Sequence, residues 1–286
     1  MDLNYENVLS LASQDADEAG GHTLYALVDH GAIADLTNRL TRFGVSWTSL
    51  FEGSRDQGAL QVAPILVPLH QRGQALASRS ALKWLCEQGR FTSSLLFLLS
   101  PLDTPTLARR LALRLDATLP DNLDIVLRYF DTRIFDALMT VFDETQQAAF
   151  LDVAKTWSSV GRSGRIQTYA ASFQEDDGES LPIEFTTAQE KALIEFSEPD
   201  QVAMLLRSVV PAEYERIAHA VRHDFLKQHI AAARGYAITS VQEQALFCSL
   251  ILTEGEHFAA APKWQQALTD VAASRLTLFA AVNQVG

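Results

Sequence analysis

The sequence predicts an α/β N-terminal lobe, a mixed sheet with flanking helices, followed by an all-α C-terminal lobe. Three observations carry that prediction. Short apolar or β-branched runs alternate with amphipathic stretches up to residue 173. An acidic, polar segment at 174–180 (QEDDGES) then interrupts the pattern, and beyond it only helix punctuation recurs. The expected organisation is therefore an α/β domain over 1–173, a linker over 174–180 and a helical lobe over 181–286. A chain of 286 residues that is 48% hydrophobic has the material for a large core.

Taken in order, Thr23–Val28 (TLYALV) reads as a strand ending at Asp29-His30-Gly31, and 32–42 as an amphipathic stretch. Trp47–Phe51 and Pro64–Leu69 read as two more strands, with Pro68 marking an edge or a strand end because it has no N–H to give a ladder. A helix is expected over about 74–88, its apolar face carrying Ala77, Ala81, Trp84 and Leu85, with Gly89 as its stop. Ser94–Leu99 (SLLFLL) is continuously apolar after its first residue, as a strand covered on both faces should be. Thr104-Pro105 opens a helix with Leu107, Leu111 and Leu115 four apart. Ile125–Phe130 reads as the next strand, Thr132 to Phe142 as the next helix, and 156–172 as one or two further strands. In the second half, Thr187 with Glu190 and Ser240 with Glu243 have capping-box spacing. Pro211 should open one long helix, with Tyr214, Ile217, Val221 and Phe225 along its apolar side. Gly235 and Gly255 read as helix stops, and Pro262 as another start.

Twenty-three basic residues against thirty-five acidic ones give a net charge of −12. Nucleic-acid binding draws on clustered Lys and Arg, so this balance predicts no nucleic-acid partner, and the same electrostatics predict no anionic membrane surface. The acidic excess is uneven, −4 over 1–173 and −8 over 174–286. Cys86 and Cys248 lie far apart in apolar patterns and read as small buried hydrophobes. An acidic N-terminal stretch unlike a signal peptide, together with unpaired cysteines, predicts a cytoplasmic protein.

The search for catalytic motifs finds little. G-x-S-x-G and both phosphate-binding glycine patterns are missing, and Gly161-Arg162-Ser163-Gly164 reads as a hairpin turn. Glu215, His219 and His223 step by four along the helix expected after Pro211, but on its solvent side and without the glutamate of a zinc protease; no metal and no cofactor is expected. Asp29 and Asp131 each follow an expected strand and precede a helix. They are candidates for Mg²⁺-assisted phosphoryl chemistry, with Glu52 as a further candidate, or alternatively for helix caps and turns. Arg110 and Arg114 share a helix face, Arg128 interrupts an apolar strand and Arg133 lies just past Asp131. A guanidinium in such a strand needs a carboxylate or carbonyl partner. It can form an internal Arg–Asp clamp, or a surface that grips a partner chain through forked hydrogen bonds.

Several of these segments, in their order, resemble one family. Tyr25-Ala26-Leu27-Val28-Asp29, Ser49-Leu50-Phe51-Glu52-Gly53 and Ala63-Pro64-Ile65-Leu66-Val67 are followed by Trp84-Leu85, by Leu127-Arg128-Tyr129-Phe130-Asp131-Thr132-Arg133, and by Trp157. The series, spanning roughly 22–160, is similar to that of the type VI secretion effector adaptors, a family long catalogued as a domain of unknown function. The helical half, with Ala233-Arg234-Gly235-Tyr236-Ala237-Ile238 and Leu252-Thr253-Glu254-Gly255, resembles the second lobe of such proteins. Two departures stand out: Thr132 replaces the proline usual between the Asp and the Arg, and His30 intervenes between Asp29 and Gly31. The resemblance implies a non-enzymatic chaperone that binds one toxin and delivers it to the spike protein VgrG or its PAAR tip. Asp29, Arg128, Asp131 and Arg133 are then partner-binding residues or a structural clamp. The rival expectation is a metal-dependent phosphoesterase or nuclease using Asp29 and Asp131.

Overall fold

The computed structural model describes residues 1–12, 21–71, 73–176 and 182–285. Along the first part run α1 (Tyr5–Ala12), β1 (Thr23–Asp29), α2 (Leu36–Arg42), β2 (Thr48–Ser49), β3 (Pro64–Gln71), β4 (Gln74–Ala75), α3 (Arg79–Gly89), β5 (Leu95–Ser100) and α4 (Thr104–Leu113). Then come β6 (Asp116–Thr118), β7 (Asp124–Val126), α5 (Thr132–Val141), α6 (Glu144–Leu151), β8 (Thr156–Val160), β9 (Ile166–Ala170) and β10 (Ile183–Glu184). The helical region comprises α7 (Thr187–Val209), α8 (Pro211–Glu215), α9 (Arg222–Arg234), α10 (Val241–Glu254), α11 (Pro262–Ala272) and α12 (Leu278–Val285). The fold class is the one the sequence predicts: sheets with flanking helices, then helices.

The large sheet has the order β2-β3-β1-β5-β8-β9, with β4 also on β3, and every pairing in it is antiparallel. A small sheet, β10-β6-β7, is mixed, parallel between β10 and β6 and antiparallel between β6 and β7. Both faces of the large sheet are covered. Successive strand residues point to opposite faces. Tyr25, Leu27, Leu96, Leu98 and Trp157 therefore enter one core with α4, α5 and α6, while Leu24, Ala26, Val28, Leu95, Phe97 and Leu99 enter another with α1, α2 and α3. That double burial is why Leu95–Leu99 (LLFLL) is apolar at every position. Trp157 anchors the first core: it stacks on Phe135 with centroids 5.5 Å apart and donates its indole N–H to the Leu151 carbonyl at 3.0 Å.

Several elements differ in extent from the sequence expectation. The strand expected over Trp47–Phe51 is only Thr48–Ser49, and the helix expected from Gln74 starts at Arg79, capped by the Ser78 hydroxyl. Pro68 lies in an inner strand, where the β1–β3 register slips between Leu24 and Tyr25, so a bulge absorbs its missing N–H. Ile125–Phe130 is a strand only as far as Val126. Leu127, Tyr129 and Phe130 are buried in an irregular segment with a tight turn from Tyr129 N to Leu127 O (2.8 Å). An apolar run reports burial and leaves the backbone conformation open.

Compactness divides the chain into Met1–Leu193 and Ile194–Gly286. The division thus falls beyond the acidic stretch, of which 177–180 lie outside the described residues. A strand, β10, follows that stretch, and Ile183 and Phe185 join the core of the first unit. The cap of α7 is also one residue earlier than the spacing indicated: the Thr186 hydroxyl accepts from Gln189 N (3.2 Å) and the Gln189 side chain accepts from Thr186 N (3.0 Å). In the second unit the long helix expected from Pro211 is broken. The backbone is extended at Ala218, and Arg222 reaches back to the freed carbonyls of Ile217 (2.8 Å) and Glu215 (3.1 Å). Two apolar clusters fill this unit, one around Trp264, Phe247 and Phe258, the other around Tyr214, Leu226 and Val202.

Candidate functional site

Asp29, the last residue of β1, and the loop before α5 are stitched to the start of β5. Asp29 N donates to Ser94 O (3.0 Å) and Thr132 N to Ser93 O (2.9 Å), while the Thr132 hydroxyl donates to Val160 O at the end of β8 (2.7 Å). Antiparallel neighbours thus bring two loops 99 residues apart in sequence to one end of the sheet, where Arg128 Nη2 meets Asp29 Oδ2 at 3.2 Å. The other oxygen of Asp29 accepts from Gly31 N (3.0 Å). Asp131 caps α5 through Arg133 N (2.9 Å) and holds the Arg133 guanidinium in a fork, Nε to Oδ1 at 2.9 Å and Nη2 to Oδ2 at 2.6 Å.

All four candidates, Asp29, Arg128, Asp131 and Arg133, are therefore at one place, and the acids lie beneath the bases. The Asp29 and Asp131 side chains are 6% and 9% exposed, those of Arg128 and Arg133 56% and 45%. Burial raises the pKa of Asp29 and the Asp131 charge adds to the rise, against the opposing pull of Arg128 and of the Gly31 N–H. A third acid continues the row. Asp136 on α5 accepts from the Ser159 hydroxyl of β8 at 2.7 Å, and its pKa is raised by burial, with Asp131 again adding to the rise. Sequence reasoning missed Asp136; its spacing from Thr132, one helical turn, was the available signal.

Arg110 and Arg114 do share a face of α4, but that face is inside: each is 1% exposed and both bond to Asp152 Oδ1, at 3.1 and 2.5 Å. Arg114 also donates to the carbonyls of Phe150 (2.7 Å), Arg110 (2.7 Å) and Ala149 (3.0 Å), and Arg110 to those of Gln174 (2.8 Å) and Asp176 (2.8 Å). A buried Arg–Asp cluster thus also exists on α4, away from the four candidates, with an aspartate that nothing in the sequence singled out.

Glu52 is elsewhere. It lines an open pocket of about 630 Å³ between residues 48–56 and α4, with Arg55, Arg109 and Asp116, and neither Asp29 nor Asp131 lines that pocket. Glu215, His219 and His223 are separated by the break at Ala218 and share no helix. Among the described residues no three His, Cys, Asp or Glu side chains are grouped to hold a metal ion, and no helix is long and apolar enough to cross a membrane. Cys86 and Cys248 are buried and free, and burial pushes both thiols up to about 12.

Residues 24–149 match the model of a protein family described as "Domain of unknown function (DUF4123)". The match covers β1 through most of α6. It contains Asp29, Arg128, Asp131, Arg133 and Asp136, and leaves out Asp152, β8, β9 and the whole second unit. No curated protein and no solved structure matches the chain.

Proposed function

We propose that this chain is a non-enzymatic adaptor of the type VI secretion system, a cytoplasmic chaperone that binds a cognate effector and loads it onto the VgrG or PAAR spike. The observation that carries this reading is the layered charge at the end of the large sheet. Two carboxylates, each engaged by a backbone N–H and a guanidinium, hold Arg128 and Arg133 with their outer faces toward solvent. Held arginines of this kind lose little further entropy when they grip a carboxylate or carbonyl of another chain. The family match over 24–149 supports the reading, because it falls within the ordered series of segments that resembles the adaptors.

The test is co-purification of the tagged chain with products of neighbouring genes, identified by mass spectrometry and repeated with Arg128→Ala and Arg133→Ala. Losing a charged hydrogen bond costs about 1.5–3 kcal/mol. Each variant, once shown to fold, should therefore capture the effector roughly ten- to a hundred-fold less well. Undiminished capture would remove both arginines from the interface. Hydrolysis of a phosphodiester by the purified chain with Mg²⁺, lost in Asp29→Ala, would replace this reading with the phosphoesterase one.

A further inference from the structure

The outer edge of β9 is half filled by this chain's own backbone. Ile166 N donates to Met1 O (2.6 Å), the Met1 nitrogen donates to Ile166 O (3.1 Å), and Leu3 N donates to Gly164 O (3.0 Å), with an antiparallel bridge between Asp2 and Arg165. Residues 1–3 thus lie on the hairpin end of β9 as the beginning of one more strand. In an antiparallel ladder both main-chain polar groups of every second residue face the same edge. Because the β8–β9 register runs without a shift and Ile166 faces outward, Thr168 and Ala170 face outward too. Among the described residues their outward N–H and C=O groups have no hydrogen-bond partner.

Edges of this kind are normally protected by charge, proline or a bulge. Ile166–Ala170 (IQTYA) has none of these, and Gln167, Thr168 and Ala170 are exposed. We propose that this edge receives a short extended segment of a partner polypeptide, added antiparallel to β9 in line with residues 1–3. The occupant is recognised by its backbone. It is four or five residues long, free of proline where it faces Thr168 and Ala170, and carries a β-branched or aromatic residue opposite Tyr169. At that non-hydrogen-bonded position cross-strand side chains approach most closely. Tyr169 is already braced there against Phe135, with centroids 5.5 Å apart. This goes beyond the adaptor reading, since it states how a partner's main chain attaches, whatever cargo that partner is.

The experiment uses the full chain with the strand-forming sequence Thr-Val-Thr-Val-Thr joined directly ahead of Met1, where it continues along Thr168 and Ala170 at high effective concentration. By NMR, hydrogen exchange at these two amides should slow about ten-fold or more relative to the unextended chain, and Thr-Pro-Thr-Pro-Thr should leave it unchanged. Unslowed exchange in the first extended chain overturns the proposal. The second arm measures capture of the partner identified by co-purification. The self-filled chain and Thr168→Pro, whose lost N–H points away from β8, should each capture it about ten-fold less well. Ala170→Pro serves where Thr168→Pro does not fold, and undiminished capture by the self-filled chain overturns the partner assignment. No capture by the unaltered chain defeats the adaptor reading instead, and leaves the exchange result to judge the edge.

Discussion

Asp152 gives one carboxylate oxygen to two guanidiniums, Arg110 and Arg114, and all three side chains are at most 5% exposed. Two cations this close are tolerated with the help of main-chain carbonyls of α4, α6 and the segment at 174–176, which accept from Arg110 Nη1 and Nη2 and from Arg114 Nε, Nη1 and Nη2. Asp152→Ala removes the carboxylate that the two buried guanidiniums share and should cost about 3–5 kcal/mol, read as a fall in the urea midpoint at unchanged slope. A cap substitution on the same helix, Asp143→Ala, should cost only about 1 kcal/mol. A loss at Asp152 no larger than at Asp143 would show that the pair is sustained without the Asp152 carboxylate. The two arginines were legible as neighbours because they are one helical turn apart. Their acid was not, since it is 42 and 38 residues further on, at the C-terminal end of α6, where no local rule requires an aspartate. Asp131 was legible as a cap because capping is local. Its nearness to Asp29 was not, because it depends on which strands pair.

Elements were read well where a period or a cap defined them, and poorly where burial alone did. β1, β5, α4 and α5 appear within a residue or two of the expected bounds. IVLRYF, in contrast, is apolar because Leu127, Tyr129 and Phe130 are core residues, and it is mostly irregular. Gly89 is instructive in the same way. Sequence rules read it as a helix stop, the usual role of a glycine with positive φ. α3 does end at Gly89, without a positive φ, and the missing side chain also makes room for a contact: a Cβ added to it would lie 2.1 Å from Leu95 Cδ1 at the start of β5. Gly89→Ala should therefore destabilise by about 1–3 kcal/mol, although alanine is the better helix former. Combining it with Leu95→Ala should recover about 1 kcal/mol or more of coupling in a double-mutant cycle. Additive losses would mean that α3 yields without straining Leu95.

At the scale of the whole molecule the apolar clusters respect the division of the chain. The two cores of the large sheet draw only on residues up to Leu193, and the two helical clusters only on residues from Val202 onward. A helical unit of about a hundred residues with its own filled core has the material to fold alone. A chain beginning at Thr186 keeps the Thr186–Gln189 cap of α7. It should give a helical far-UV spectrum and unfold in one cooperative thermal transition. Trp264 is the check on that claim, being 2% exposed, packed on Phe258 at 5.4 Å and hydrogen-bonded to Glu254 through its indole (3.0 Å). Trp264→Ala should remove about 3–5 kcal/mol, a large share of what a domain this size has to lose, and abolish the transition. Should the Thr186 chain melt without cooperativity even with Trp264 present, the helical clusters would depend on the first unit, and the division would describe compactness without independence.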